Sequence, residues 1–118
     1  MNYSFLDDNN FIDIDEITND NFKEITQDVK YKYFVFDFYA TWCGPCKIAS
    51  EEFKLIAADY KDIKFCKINI DDNDLVDDYE IQYLPTILVF KSDDFKNHIF
   101  KSESADLSLL KSVLNKIV

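Results

Sequence analysis

The stretch Tyr33 to Tyr39, YFVFDFY, is aromatic or β-branched at nearly every position. A half-exposed strand alternates apolar with polar side chains, whereas a run that is apolar on both faces suits a central strand covered by helices on each side. One such strand points to an α/β class, with helical layers above and below a sheet. Asp37 interrupts the run and puts a carboxylate where the pattern supplies only apolar surroundings.

The rest of the chain supplies the covering layers. Residues 1–10 are polar and read as a flexible N-terminal arm; residues 11–118 read as one domain without repeats or an internal linker. Phe11 to Ile17 alternates isoleucine with acids, as a half-buried strand does. A short helix follows, opened by capping types at Thr18, Asn19 and Asp20, with Phe22, Ile25 and Val29 at helical spacing. After Cys46, a helix to about Tyr60 carries Ile48, Phe53, Ile56, Ala57 and Tyr60 on one side. IKFCKINI is a strand interrupted by Lys67, DNDLVDDY a short capped helix, and PTILVFK a strand opening at Pro85. NHIFK can pair with that strand across a polar turn. The tail is an amphipathic helix with Leu107, Leu110, Val113, Leu114 and Ile117 inward and Asp106 near its start, where a helix dipole favours an acid. The order βαβαβαββα gives a mixed sheet with helices on both faces.

Charge narrows the function classes. The chain has 118 residues, a net charge of −10 and 47% hydrophobic residues, enough to build a core without a disulfide staple. Every basic residue is a lysine and none cluster, so neither nucleic acid nor an anionic membrane is an expected partner. Acids crowd at Asp71, Asp72, Asp74, Asp77 and Asp78, either as a solvated surface or as a face that steers a basic partner protein. The N-terminus has neither the positive charge nor the apolar core of a signal peptide, and no apolar run is long enough to span a membrane. With three cysteines rather than an even, dispersed set, a reducing compartment such as the cytoplasm is expected.

The only glycine in the chain, Gly44, stands with Pro45 between Cys43 and Cys46. Thiols three positions apart at a helix start can approach closely enough for a disulfide. The unpaired N–H groups and partial positive charge of a helix N-terminus favour thiolate there. Cys43, at the very end, is expected to be the more acidic and more exposed thiol, and Cys46 the shielded, resolving one. Gly44 would let a partner backbone approach and permit a tight helix entry; Pro45 would stiffen the first turn at little cost. Zinc is the rival reading of such a pair, but it wants four ligands and only Cys66 and His98 remain. Two inert buried thiols are the other rival. Cys66, midway along a strand, reads as a small core residue; His98 receives no role. Trp42, beside Cys43, reads as an exposed rim of a binding face.

The chain resembles the thioredoxins from about Phe11 to Ile117. WCGPCK is a specific motif of that family, and three further features match: Asp37 six residues before Cys43, Lys67 in KINID, and YLPT with its proline at Pro85. The resemblance implies a thioredoxin fold, with a central mixed five-stranded sheet and four helices. It implies reduction of protein disulfides through a redox-active Cys43–Cys46 disulfide, with no bound cofactor or metal. Cys43 would be the nucleophile, Cys46 the resolving thiol, Asp37 its general base and Lys67 the tuner of Asp37. Trp42, Gly44, Pro45, Leu84, Pro85 and Thr86 would form the substrate surface, with a cis Leu84–Pro85 bond. Electrons would come from NADPH through a thioredoxin reductase-type flavoprotein, and the protein would act as a monomer.

Four positions depart from the family pattern. Glu51 replaces a helix-kinking proline, SDDFKN replaces a hairpin glycine, Ser102 or a neighbour replaces a glycine beside the substrate groove, and Tyr39 stands where tryptophan is frequent. Two other functions stay open on sequence alone: an oxidase or isomerase of an oxidising compartment, and a binding module fixed in a larger assembly.

Overall fold

The computed structural model describes residues 14–118. The expected arm and the start of the first strand, Phe11 to Asp13, lie outside them. The elements run β1 (Ile14–Glu16), α1 (Phe22–Thr26), β2 (Tyr33–Tyr39), α2 (Gly44–Asp59), β3 (Lys64–Asn69), α3 (Leu75–Asp78), β4 (Thr86–Lys91), β5 (Phe100–Ser102) and α4 (Ser108–Ile117). The sheet order is β1-β3-β2-β4-β5; β1, β3 and β2 are parallel, while β4 and β5 join antiparallel. This is the five-stranded mixed sheet expected from the order of elements, with β2 at its centre.

The two-residue period of β2 builds both cores. Phe34, Phe36 and Phe38 point to one face and pack with Ile17, Cys66, Ile68, Leu75, Leu88 and Phe90. Val35 points to the other face, where Phe65, Ile87 and Val89 meet Phe53 and Ile56 of α2 and Leu110 and Leu114 of α4. Asp37 shares the parity of Val35, so it is carried on the α2 side of the sheet. All three phenylalanines of β2 are fully buried, each contributing roughly 1.5–3 kcal/mol by burial alone.

Three expectations need correction. α1 ends at Thr26, and Val29 is 98% exposed rather than on a buried helical face. The Asp28 carboxylate accepts the Lys30 N–H at 3.0 Å, a local turn that competes with further helix. In α2, Ala49, Phe53, Ile56 and Ala57 face the sheet while Ile48, one residue out of that phase, is 70% exposed. α4 begins at Ser108, later than the apolar pattern suggested, with Leu107 buried just ahead of it.

Candidate active site

Cys43 and Cys46 stand where the central strand passes into α2. Cys43 is the N-cap residue, with extended backbone, and its Sγ accepts the Cys46 N–H at 3.2 Å. The two sulfurs are joined in a disulfide with a Cα–Cα distance of 5.3 Å. Pro45 lies in the first turn, where its missing N–H removes no helical bond. Gly44 has no positive φ, and a Cβ placed on it meets nothing within 4 Å. Tight entry to the helix therefore does not require glycine. Its lack of a side chain leaves open space beside Cys43.

The expected contrast in exposure is not there, since Cys43 is 6% and Cys46 4% exposed. The thiols differ in what they face. Cys43 opens on a groove of about 510 Å³ whose near wall is Trp42, Gly44 and Pro45. Its far wall is formed by Ile70, Val76, Ile81, Tyr83 and Leu84. Cys46 lines a separate recess of about 310 Å³ together with Tyr39, Ser50, Glu51 and Lys67. One cysteine lines the groove beside the Leu84–Pro85 loop, the other the recess that holds Lys67 and Ser50.

Groove residues arrive from separated segments. Trp42 is 68% exposed, as expected of a rim, and its Nε1 donates to Asp71 Oδ2 at 2.9 Å, tying the cysteine loop to the turn after β3. The Leu84–Pro85 bond is cis, as the resemblance implied, and Leu84 packs against Ala40 and the cysteine pair. Thr86 is fully buried, and its hydroxyl donates to the Tyr83 carbonyl at 2.6 Å. It fixes the loop from behind rather than offering a side chain to a substrate. Ser102 is in β5 opposite Ile87 and does not line the groove among the described residues.

Asp37 is 1% exposed, and its Oδ1 has no hydrogen-bond partner. Burial pushes its carboxyl from 3.8 up to about 7; the Lys67 ammonium pulls it down, and the Glu16 carboxylate adds to the rise. Lys67 is directly opposite Asp37 in the sheet. Its Nζ donates to Ser50 Oγ at 3.2 Å and lies 4.3 Å from the centre of the Tyr39 ring. Cys66 is buried on the other face of the sheet, and His98 belongs to the β4–β5 connection, so neither joins Cys43 and Cys46. Glu16 and Ser50 were missed by sequence reasoning, while Tyr39 was noted only as a departure from the family and Asp71 only as one of the acidic run. Only Tyr39, of Asp37's parity on β2, carried a usable signal.

A cysteine pair at a helix start, a buried carboxyl on the α2 side of the sheet and a cis-proline loop beside the pair converge on one lineage, and comparison with known proteins agrees. The thioredoxin family profile matches residues 13–116. The chain belongs to the thioredoxin family. It is 35% identical to the thioredoxin of Porphyra purpurea over 109 residues, 89% of this chain and 97% of that one. It is 47% identical to the thioredoxin of Mycoplasma genitalium over 62 residues, 52% of this chain and 61% of the relative, so that match spans less than two thirds of the relative's length. Among solved structures, a reduced Schistosoma mansoni thioredoxin pre-protein superposes with a TM-score of 0.78 at 26% identity, covering 89% of this chain and 98% of that one.

Proposed function

We propose that this thioredoxin-family protein reduces disulfides in other proteins, with Cys43 as nucleophile and Cys46 as resolving thiol. The observation that carries the reading is the disulfide at the start of α2, with its two cysteines lining different recesses. In the reduced protein, the Cys46 N–H and the dipole of α2 stabilise a thiolate on Cys43. That thiolate attacks one sulfur of a substrate disulfide. The substrate S–S bond breaks, a Cys43–substrate disulfide forms, and the other substrate sulfur leaves as a thiolate that takes up a proton. Cys46 then passes its proton to Asp37 and attacks Cys43 Sγ. The Cys43–Cys46 bond closes, and the second substrate thiolate departs. Two electrons have moved to the substrate; the second thiolate takes up the proton that Asp37 received from Cys46, and the first takes its proton from solvent, to which Cys43 had lost its own.

Substrate binding uses Trp42, Gly44, Pro45 and Leu84–Pro85, with an extended segment laid along the groove and paired to backbone before the proline. Electrons return from NADPH through a flavoprotein reductase that meets the same face, and the protein works as a monomer in a reducing compartment. A Cys66 buried outside the disulfide suits such a compartment. Equilibration of the protein against graded thiol–disulfide buffers, followed by counting alkylated thiols, tests the reading. A reduction potential near about −270 mV marks a reductant, and one near about −180 mV marks an oxidant or isomerase and overturns it.

A further inference from the structure

Glu16, Lys67 and Asp37 occupy one row of the sheet. Glu16 of β1 is opposite Lys67 of β3, and Lys67 is opposite Asp37 of β2. Residues paired in this way project to the same face. One ammonium therefore stands between two carboxylates, of which Asp37 is buried and Glu16 exposed.

Tyr39 links the outer carboxylate of the row to the ammonium. It lies two residues beyond Asp37 on the same face of β2, and its hydroxyl donates to both oxygens of Glu16, at 2.8 and 2.9 Å. Its ring carries Lys67 Nζ, the position a cation takes over an aromatic face. Ser50 of α2 accepts from the same Nζ. Asp37 Oδ1 is left without a partner. The usual proline position of α2 holds Glu51, whose carboxylate reaches Lys54 at 3.7 Å.

We propose that Glu16 is a positioning residue for proton transfer at Asp37: by anchoring the Tyr39 hydroxyl it holds the ring as a shelf for the Lys67 ammonium and keeps that cation off Asp37. The surrounding groups are Glu16 from β1, Tyr39 on β2 itself, Lys67 from β3, and Cys46, Lys47 and Glu51 of α2 around the Lys67 recess. β4 contributes the apolar Ile87, and Asp72 acts on the Tyr39 phenol from the turn after β3. Removing the Glu16 charge acts twice in the same direction. It takes a negative charge out of the row, and it leaves only an amide oxygen to accept the Tyr39 hydroxyl, a weaker anchor that lets Lys67 turn toward Asp37. Both changes favour the ionised carboxyl.

The test compares Glu16→Gln and Tyr39→Phe with the parent chain. The Asp37 carboxyl is titrated by ¹³C NMR in the oxidised protein, with Asp37→Asn identifying its resonance. The pH profile of mixed-disulfide resolution is measured in single turnover. Tyr39→Phe keeps both charges and deletes only the hydroxyl, so it isolates the shelf. The proposal expects both variants to lower the Asp37 midpoint by at least half a pH unit, about threefold in the ionised ratio, with the acid limb of resolution moving alongside. A midpoint unchanged or raised in either variant overturns it, including a drop in melting temperature with no shift. The kinetic arm rests on Asp37 being the proton acceptor. A shifted midpoint with an unmoved kinetic limb supports the shelf and overturns that role of Asp37 instead.

Discussion

Asp37 is the residue at which stability and chemistry pull in opposite directions. Its carboxyl titrates at 3.8 in an unfolded chain and, through burial, at about 7 in the fold. The folded state thus binds the proton more tightly than the unfolded state. The stability this contributes is complete below pH about 4 and is lost as pH rises through about 7, to the extent of roughly 4 kcal/mol. Asp37→Asn does not titrate, so urea melts from pH 4 to 8.5 should show the variant gaining on the parent as pH rises. A constant gap would mean that Asp37 is not buried as described. The same substitution should slow resolution of the mixed disulfide far more than the initial attack by Cys43, read by single-turnover kinetics. Gly44 behaves differently. Because a Cβ there meets nothing, Gly44→Ala should leave urea stability within about 0.5 kcal/mol and still slow reduction of protein disulfides more than of small disulfides. Equal slowing would place the role of Gly44 in the thiol chemistry. The motif residues were legible because each breaks a local pattern: a charge in an apolar strand, a lone glycine between thiols. Glu16 and Ser50 break none; they reach Lys67 only through strand register and helix placement, which a linear reading does not contain.

Among the elements, α2 shows where periodicity runs out. The sequence KIASEEFKLIAADY reads with Ile48, Phe53, Ile56, Ala57 and Tyr60 on the inward face. The structure buries Ala49, in phase with Cys46 and Phe53, and leaves Ile48 exposed. Phe53, in phase with Ala49, edges onto Phe65 at 5.4 Å between ring centres. Phe53→Ala should therefore cost about 3–5 kcal/mol, and Ile48→Ala less than about 0.5 kcal/mol, both read from urea midpoints at constant slope. The reverse order would restore the phase read from sequence. β2, the body of α4 and the order of the nine described elements were legible because long apolar runs and a heptad-like tail leave one solution. α1 was not, since five residues of helix give too little periodicity to resist a local turn at Asp28.

At the scale of the whole molecule, the far wall of the groove is built from a segment without any basic residue. From Ile68 to Phe90 the chain carries Asp71, Asp72, Asp74, Asp77, Asp78 and Glu80, and no lysine. All six are exposed, and they flank Val76, Ile81 and Tyr83 on the groove that Cys43 faces. Asp71 also holds the Trp42 rim, so the negative edge is fixed against the apolar floor. A substrate reaching Cys43 passes through that field, which favours lysine or arginine near its disulfide and slows acidic approaches. The Debye length is about 10 Å at 0.1 M salt and about 3 Å at 1 M, so the preference should be an attribute of low ionic strength. Two disulfide peptides of equal length, one with lysines and one with glutamates beside the cysteine, provide the measurement. The lysine peptide should show several-fold higher kcat/KM at low salt, and the ratio should collapse toward one at 1 M. Asp77→Lys with Asp78→Lys should lower the same ratio at low salt without moving the reduction potential of Cys43–Cys46, since neither side chain touches the disulfide. A ratio near one at every salt concentration would reduce the acidic edge to a solvated surface.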